Sequence, residues 1–112
     1  MDLKYEQQFK KGVLEMVLLS IISHKRTYGY EIISNLNSAE VTLFQNVKEG
    51  TIYPILYRLE DAGLVKGELS ISANNERAKK YYEITNTGKD VLQDMKDFWH
   101  LYKTGVDTLM ED

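Results

Sequence analysis

The segment from Glu49 to Val65 constrains the fold of this 112-residue chain more than any other part of it. Apolar residues stand there at helical spacing, and they are Ile52, Ile55, Leu56 and Leu59. That spacing places them on one face of a helix, which must be buried against the rest of the domain. Gly63 predicts the end of the helix, and residues 64–71 have the composition of a strand. The segment therefore predicts a half-buried helix followed directly by a strand.

The outward face of this helix favours contact with a partner. It carries small, aromatic and cationic side chains, namely Gly50, Tyr53, Pro54, Tyr57, Arg58 and Asp61. A helix in a major groove touches base edges mainly through its N-terminal residues. The residues predicted to read bases are Thr51, Tyr53, Pro54 and Tyr57. Arg58 is predicted to contact phosphate. The alternative is that Tyr53 and Tyr57 pack sideways on neighbouring elements.

A β-hairpin is predicted after the helix, with residues 64–71 and 79–84 as strands and the polar residues 72–78 as the turn. Its tip and returning strand carry the cations Arg77, Lys79 and Lys80. Cations on a projecting hairpin can lie along a phosphate backbone or reach into a minor groove. The alternative is a hairpin that is only solvated.

Two more helices are predicted upstream. The first, from about residue 9 to residue 23, is expected to be mostly core and has an apolar stripe of Phe9, Val13, Met16, Val17, Ile21 and Ile22. The second runs from about residue 29 to residue 36, and residues 41–46 link it to the helix that begins near Glu49, here called the reading helix. Ile32, Ile33 and Leu36 would pack the second helix against the reading helix as a helix-turn-helix. The predicted fold is α+β, mostly α: a winged helix-turn-helix with a β-hairpin wing and a long C-terminal dimerisation helix.

The C-terminal residues from about 86 to 110 carry a wide apolar stripe at helical spacing. Its members are Val91, Leu92, Met95, Phe98, Trp99, Tyr102, Val106 and Leu109. A domain of this size cannot easily cover so much apolar surface, so a second copy of the chain is the expected cover. We therefore predict a DNA-binding region at residues 1–84 and a dimerisation helix at residues 85–112, within one compact domain.

Trp99 is the only tryptophan. With Phe98 and Tyr102 it could offer a flat apolar wall to a planar aromatic effector. The alternative is that Trp99 only packs the interface between two copies of the chain.

Three motifs resemble those of PadR-type transcriptional regulators. They are Tyr28-Gly29-Tyr30-Glu31-Ile32, then Glu49-Gly50-Thr51-Ile52-Tyr53-Pro54 with Arg58-Leu59-Glu60, and Lys80-Tyr81-Tyr82 followed by Thr85 and Gly88. The likeness covers roughly residues 9 to 110, and the single C-terminal helix is similar to the short subfamily. The resemblance implies a homodimeric winged-helix repressor on a palindromic operator. In many members, a small and often aromatic effector releases the repressor.

Charge is distributed unevenly along the chain. Its formal net charge is -3 and its pI is near 5.4, which departs from the basic balance usual for proteins that bind nucleic acid. Residues 1–82 hold eleven Lys or Arg and ten Asp or Glu, whereas residues 83–112 hold three and seven. The acidity thus lies away from the predicted reading helix. A local positive patch of Arg58, Arg77, Lys79 and Lys80 is expected to support DNA binding.

The composition narrows the class of protein further. A length of 112 residues fits one domain, without an apolar run of membrane length or a signal-like N-terminus, so a soluble, cytoplasmic protein is expected. Because the chain has no cysteine, it has no disulfides and no thiolate metal sites. His24 and His100 lack metal-ligand spacing. Asp90, Asp94 and Asp97 share a helix face without a nucleophile or a phosphate loop, which favours a solvated face.

The sequence therefore predicts neither an enzyme nor a protein with a cofactor or metal. The leading hypothesis is a sequence-specific, DNA-binding transcription regulator, a repressor released by a small-molecule effector. The alternative is a winged-helix module for protein–protein interaction without specific DNA binding, in which the aromatic face of Tyr53 and Tyr57 docks a protein.

Overall fold

The computed structural model describes residues 3–38, 42–71 and 78–111. Its elements are α1 (Leu3–His24), β1 (Thr27–Tyr28), α2 (Gly29–Ser38), a 3-10 helix (Thr42–Phe44), α3 (Glu49–Asp61), β2 (Val65–Ser70), β3 (Lys79–Ile84) and α4 (Asn86–Met110). The fold is α+β and mostly helical, with a winged helix-turn-helix and a long C-terminal helix as predicted. Residues 39–41, which include the first residue of the predicted link, and residues 72–77, which include Arg77 and most of the predicted turn, lie outside the described residues.

The three strands form an antiparallel sheet in the order β1-β3-β2. Thr27 pairs with Tyr82 in β3, and the β2–β3 register runs from Val65 opposite Ile84 to Ser70 opposite Lys79. The hairpin of β2 and β3 is the wing that the sequence predicts. Strand β1 was not predicted, because two residues are too short to show the alternation that marks a strand.

Helix α3 buries the predicted face. Ile52, Ile55, Leu56 and Leu59 are all at most 5% exposed. The helix ends at Gly63, whose φ of 75° lies in the left-handed region. There the Leu64 amide donates to the Leu59 carbonyl at 3.0 Å and the Gly63 amide donates to the Glu60 carbonyl at 2.9 Å. This pair of hydrogen bonds is a Schellman cap, which turns the chain from α3 into β2.

Helix α1 corrects the sequence prediction. The side chains that it buries in the core are Leu14, Leu18, Leu19 and Ile22. Phe9 is 75% exposed, so the prediction that the stripe beginning at Phe9 is mostly core is wrong for that residue. The reason is that α1 carries apolar side chains on more than one of its sides. One side packs on the core, while a second side, with Val13 and Met16, faces α4.

The start of α4 is fixed against the end of α3. The Thr85 hydroxyl donates to the Gly63 carbonyl at 2.7 Å and accepts from the Gly88 amide at 2.9 Å, so Thr85 is the N-cap of α4. A Cβ at Gly88 would overlap the Leu64 carbonyl oxygen. Only glycine allows this close approach, which sets the direction in which α4 leaves the domain.

Candidate nucleic-acid interface

The outward face of α3 is open to solvent at most of the predicted reading positions. Thr51, Pro54, Tyr57 and Arg58 are exposed, and the Tyr57 side chain is 51% exposed. Pro54 lies inside the helix, near its N-terminal end. Because the opposite face is packed into the core, the helix that carries these exposed side chains is held in place. That arrangement is what direct reading of base edges requires.

Tyr53 has a different environment, because its ring lies over Gly29 at the first residue of α2. A Cβ at Gly29 would come within 2.5 Å of the Tyr53 hydroxyl oxygen and 2.6 Å of its Cζ atom. Burial, with the nearby Glu49 carboxylate, raises the pKa of Tyr53, so its hydroxyl stays protonated and able to donate a hydrogen bond. Tyr53 therefore packs between α2 and α3, as the sequence-based alternative expected. Its reading of bases stays a prediction.

Lys80, in β3 near the turn end of the β2–β3 hairpin, makes an ion pair with α3. Its ammonium donates to Glu60 Oε1 at 2.7 Å, and the two side chains are 36% and 30% exposed. The ammonium also lies 5.8 Å from the centre of the Tyr57 ring and 5.5 Å from that of Tyr82. The hydrogen bond to Glu60 is the main cause that raises the pKa of Lys80. Lys80 thus connects the wing to the reading helix.

Lys79 points to the other face of the sheet. It is exposed, and its ammonium lies 4.6 Å from the centre of the Tyr28 ring, within cation–π distance. The rings of Tyr28 and Tyr81 meet edge to face at 5.3 Å, and the Arg26 guanidinium lies 4.4 Å from the Tyr81 ring. Arg26 also approaches Glu68 at 3.9 Å. This face therefore places two cations, Lys79 and Arg26, on an aromatic support.

Arg26 was not among the predicted site residues. It reaches this surface because β1 pairs with β3, which places Tyr28 opposite Tyr81. Nothing in the local sequence signals that pairing. The structure thus places Lys80 against α3, whereas Lys79 and Arg26 lie together on the opposite face of the sheet.

The predicted stripe on α4 is covered along the first half of the helix and exposed along the second half. Leu92 is buried in the core of its own chain, and Val91 and Met95 pack against that core. Leu92 therefore has almost no surface left for a second chain. The C-terminal half of the helix is exposed, and its exposed apolar side chains are Phe98, Leu101, Tyr102, Val106, Leu109 and Met110.

A groove between α1 and α4, here called the α1–α4 groove, has a volume of about 630 Å³. Phe9, Val13 and Met16 line it from α1. The side chains from α4 include the predicted effector residues Phe98, Trp99 and Tyr102. The Phe98 and Tyr102 rings lie 5.9 Å apart, and Trp99 is partly buried. The structure therefore places the three aromatic side chains at one apolar surface.

Two other features are absent from the parts of the chain that the structure describes. No group of three His, Asp or Glu side chains there could hold a metal ion. Across the same residues, no helix combines the length and apolar character needed to cross a membrane.

Comparison with known proteins gives consistent matches. A model of the PadR-like family of transcriptional regulators matches residues 18–94. An uncharacterized protein of Lysinibacillus sphaericus is 32% identical over 101 residues, which is 90% of this chain and 91% of that protein. The negative transcriptional regulator PadR of Bacillus subtilis is 32% identical over 82 residues. That alignment covers 73% of this chain and only 44% of the Bacillus subtilis protein.

Solved structures agree in fold over nearly the whole chain. A PadR-like transcriptional regulator from Bacillus cereus is 39% identical with a TM-score of 0.77, covering 94% of this chain and 98% of that one. A PadR family regulator from Eggerthella lenta is 29% identical with a TM-score of 0.83, covering 96% and 90%.

Proposed function

Because this chain belongs to the PadR-like family of transcriptional regulators, we propose that it is a homodimeric repressor that binds a palindromic operator. In this proposal a small planar effector releases it from DNA. The observation that carries the DNA-binding part is the exposed face of α3, with Thr51, Pro54 and Tyr57 on a helix whose other face is buried. The protein acts in the cytoplasm, where operator DNA is accessible.

Within this proposal, residues divide into those that read bases and those that position the protein. Thr51, Pro54 and Tyr57 read base edges, with Tyr53 at the rim of the same surface. Arg58 contacts phosphate from the later part of α3, and the wing adds Lys79 and the predicted Arg77. Positioning contacts carry no sequence information, so the two groups have separable effects on binding.

The dimer is proposed to form through the exposed C-terminal half of α4. Phe98 is 65% exposed and Leu109 is 86% exposed in the single chain. Phe98, Tyr102 and Leu109 stand at intervals of four and seven residues, which suits packing against a second helix. The exposed Phe9 of α1 extends the same apolar surface. A two-fold dimer would present two α3 helices to successive major grooves, about one helical turn apart.

Repression follows if the dimer occupies promoter DNA and excludes the transcription machinery. The Bacillus subtilis relative is named a negative transcriptional regulator, which supports this direction of control.

Effector release is proposed to act through the α1–α4 groove. Its volume of about 630 Å³ lies within the range of small-molecule sites. Trp99 and the neighbouring Phe98 and Tyr102 provide the flat apolar surface that a planar aromatic molecule would stack on. Since the same helices form the proposed dimer contact, a ligand there would change the distance between the two reading helices.

Selection from a pool of random duplexes tests the DNA-binding proposal. We expect the chain to enrich an inverted repeat whose half-site centres lie about 10 base pairs apart. The Thr51→Ala variant should change the enriched bases, whereas Lys79→Ala should keep the same bases with weaker binding. Recovery of unrelated sequences by the wild-type chain would contradict sequence-specific binding and favour the protein-interaction alternative.

Tryptophan fluorescence tests the effector proposal, because Trp99 is the only tryptophan. A planar aromatic compound that releases DNA should quench Trp99 over the same concentration range. Release of DNA without any change in Trp99 fluorescence would place the effector elsewhere and leave Trp99 with a packing role alone.

A further inference from the structure

We propose that Glu60 withholds the charge of Lys80 from the DNA backbone and thereby limits the sequence-independent affinity of the chain. This inference rests on the proposed DNA binding. It assigns the two adjacent wing lysines opposite roles, with Lys79 available to phosphate and Lys80 held by the protein.

The Glu60–Lys80 ion pair lies against the domain on one side, while its two side chains are 36% and 30% exposed. Its atoms are 2.7 Å apart, and the lysine ammonium lies between the rings of Tyr57 and Tyr82. Tyr82 is only 1% exposed, so one side of the pair is the domain core. Ion pairs that are partly shielded from water in this way are stronger than pairs on an open surface, because solvent screens them less.

Gly67 of β2 provides the space that the pair occupies. A Cβ at this position would lie 2.5 Å from Glu60 Oε2 and 2.5 Å from Lys80 Cε. The carboxylate and the lysine stem therefore cover the glycine directly, where any other residue would place a side chain. The pair is thus part of the packing between α3 and the wing.

Lys79 offers a contrast within the same strand. It is exposed, and among the described residues it has no carboxylate within ion-pair distance. A phosphate can approach Lys79 without breaking an ion pair, and the nearby Glu31, whose pKa the Lys79 charge helps to lower, already accepts a hydrogen bond from Thr27. To reach Lys80, a phosphate must separate it from Glu60 and leave that carboxylate beside the DNA. Repulsion between the carboxylate and the phosphates opposes this exchange.

Non-specific binding to DNA depends almost entirely on phosphate contacts. Each contact made by a cation adds about 0.9 to the slope of log affinity against log salt, so two equivalent contacts in a dimer add about 1.8. Withholding Lys80 removes that contribution from both wings. Glu60 would therefore keep the chain from binding tightly to DNA that lacks the operator.

The test measures binding to a scrambled duplex by fluorescence anisotropy over a series of salt concentrations. The variants are Glu60→Gln, Lys80→Ala, the double variant, and Asp61→Asn. Asp61 is exposed on the neighbouring position of α3, so Asp61→Asn makes the same charge change without touching Lys80. Urea unfolding of each variant confirms that it is folded.

We expect Lys80→Ala alone to leave the salt slope unchanged. Glu60→Gln should steepen it by up to about 1.8, which makes the ratio of affinities at 50 and 200 mM salt about twelve-fold larger. The steepening should disappear in the double variant and should not occur in Asp61→Asn. A steeper salt slope that requires Lys80 is a result that loss of packing alone would not produce.

Two results would overturn the inference while DNA binding by the wild-type chain remains intact. One is a slope that falls by about 1.8 in Lys80→Ala, which would mean that phosphate already takes Lys80. The other is an equal effect of Glu60→Gln and Asp61→Asn, which would mean that only net charge matters. A wild-type chain that binds neither scrambled nor selected DNA would instead overturn the proposed function, and this inference with it.

Discussion

The substitution Gly29→Ala would put a methyl group where the Tyr53 ring now lies. The added Cβ would be 2.5 Å from the Tyr53 hydroxyl oxygen, 2.6 Å from Cζ and 2.8 Å from Cε1, well inside van der Waals contact. The ring must therefore move, and the packing between α2 and α3 must change with it. These two helices form the helix-turn-helix, so the perturbation acts at the support of the reading surface.

Two effects of opposite sign determine how much the substitution changes the free energy of unfolding. Forcing an extra carbon into a packed contact destabilises by about 1–3 kcal/mol. Replacing glycine by alanine at a compatible backbone position stabilises by about 0.4–1 kcal/mol, because the unfolded chain loses freedom. Gly29 is helical and its φ is not positive, so its backbone suits alanine. The net expectation is a loss of about 1–2 kcal/mol in the free energy of unfolding.

Urea unfolding at a fixed protein concentration measures this change, and Tyr53→Ala provides the matched background. Without the ring, Gly29→Ala should no longer destabilise and should instead stabilise by about 0.4–1 kcal/mol. The effect therefore changes sign between the two backgrounds. An equal loss of stability with and without the Tyr53 ring would refute the close contact between Gly29 and that ring.

The remaining predictions concern binding, assembly and pH. Lys79→Ala should lower the salt slope of operator binding by about 1.8 per dimer, while the control Lys89→Ala on α4 should leave it unchanged. The same slope in both variants would contradict a phosphate contact of Lys79. Phe98→Asp should yield a folded monomer by light scattering, because the side chain is already 65% exposed in the single chain; an intact dimer would refute the proposed interface. The Thr27 hydroxyl donates to Glu31 at 2.7 Å and lowers the pKa of Glu31 below its ordinary value of 4.5. The stabilisation that ionised Glu31 gains from this hydrogen bond is fully present above pH 4.5. It is lost as the pH falls through the lower pKa that Glu31 has in the folded state. Acid unfolding of Glu31→Gln should therefore show a weaker pH dependence, and an unchanged profile would contradict this.

Local patterns in the sequence were sufficient to predict α3 and α4. The four buried residues of α3 follow a single helical period, and Gly63 marks its end, so both the helix and its buried face were predicted correctly. The predicted range of α4, about residues 86–110, agrees with the observed Asn86–Met110. Thr85 and Gly88, which belong to one of the motifs, are explained by the N-cap and by the close approach to Leu64.

Features that depend on contacts between distant residues were not predicted. The position of Arg26 over the Tyr81 ring requires β1 to pair with β3, and two residues of strand leave no periodic signal. The Glu60–Lys80 ion pair joins residues twenty positions apart, which only the folded wing brings together. The buried face of α1 was misassigned at Phe9 because apolar residues surround that helix, so periodicity alone could not decide which side faces the core.

The measurement that tests the central claim most directly is the fluorescence anisotropy of the purified chain with labelled DNA from upstream of its own gene. Scrambled DNA of the same length and composition is the control, and both are measured over a series of salt concentrations. We expect tighter binding to the upstream DNA at every salt concentration, with a preference that persists as phosphate contacts weaken. Equal and weak binding to both duplexes would contradict the account of a regulator that recognises an operator beside its own gene.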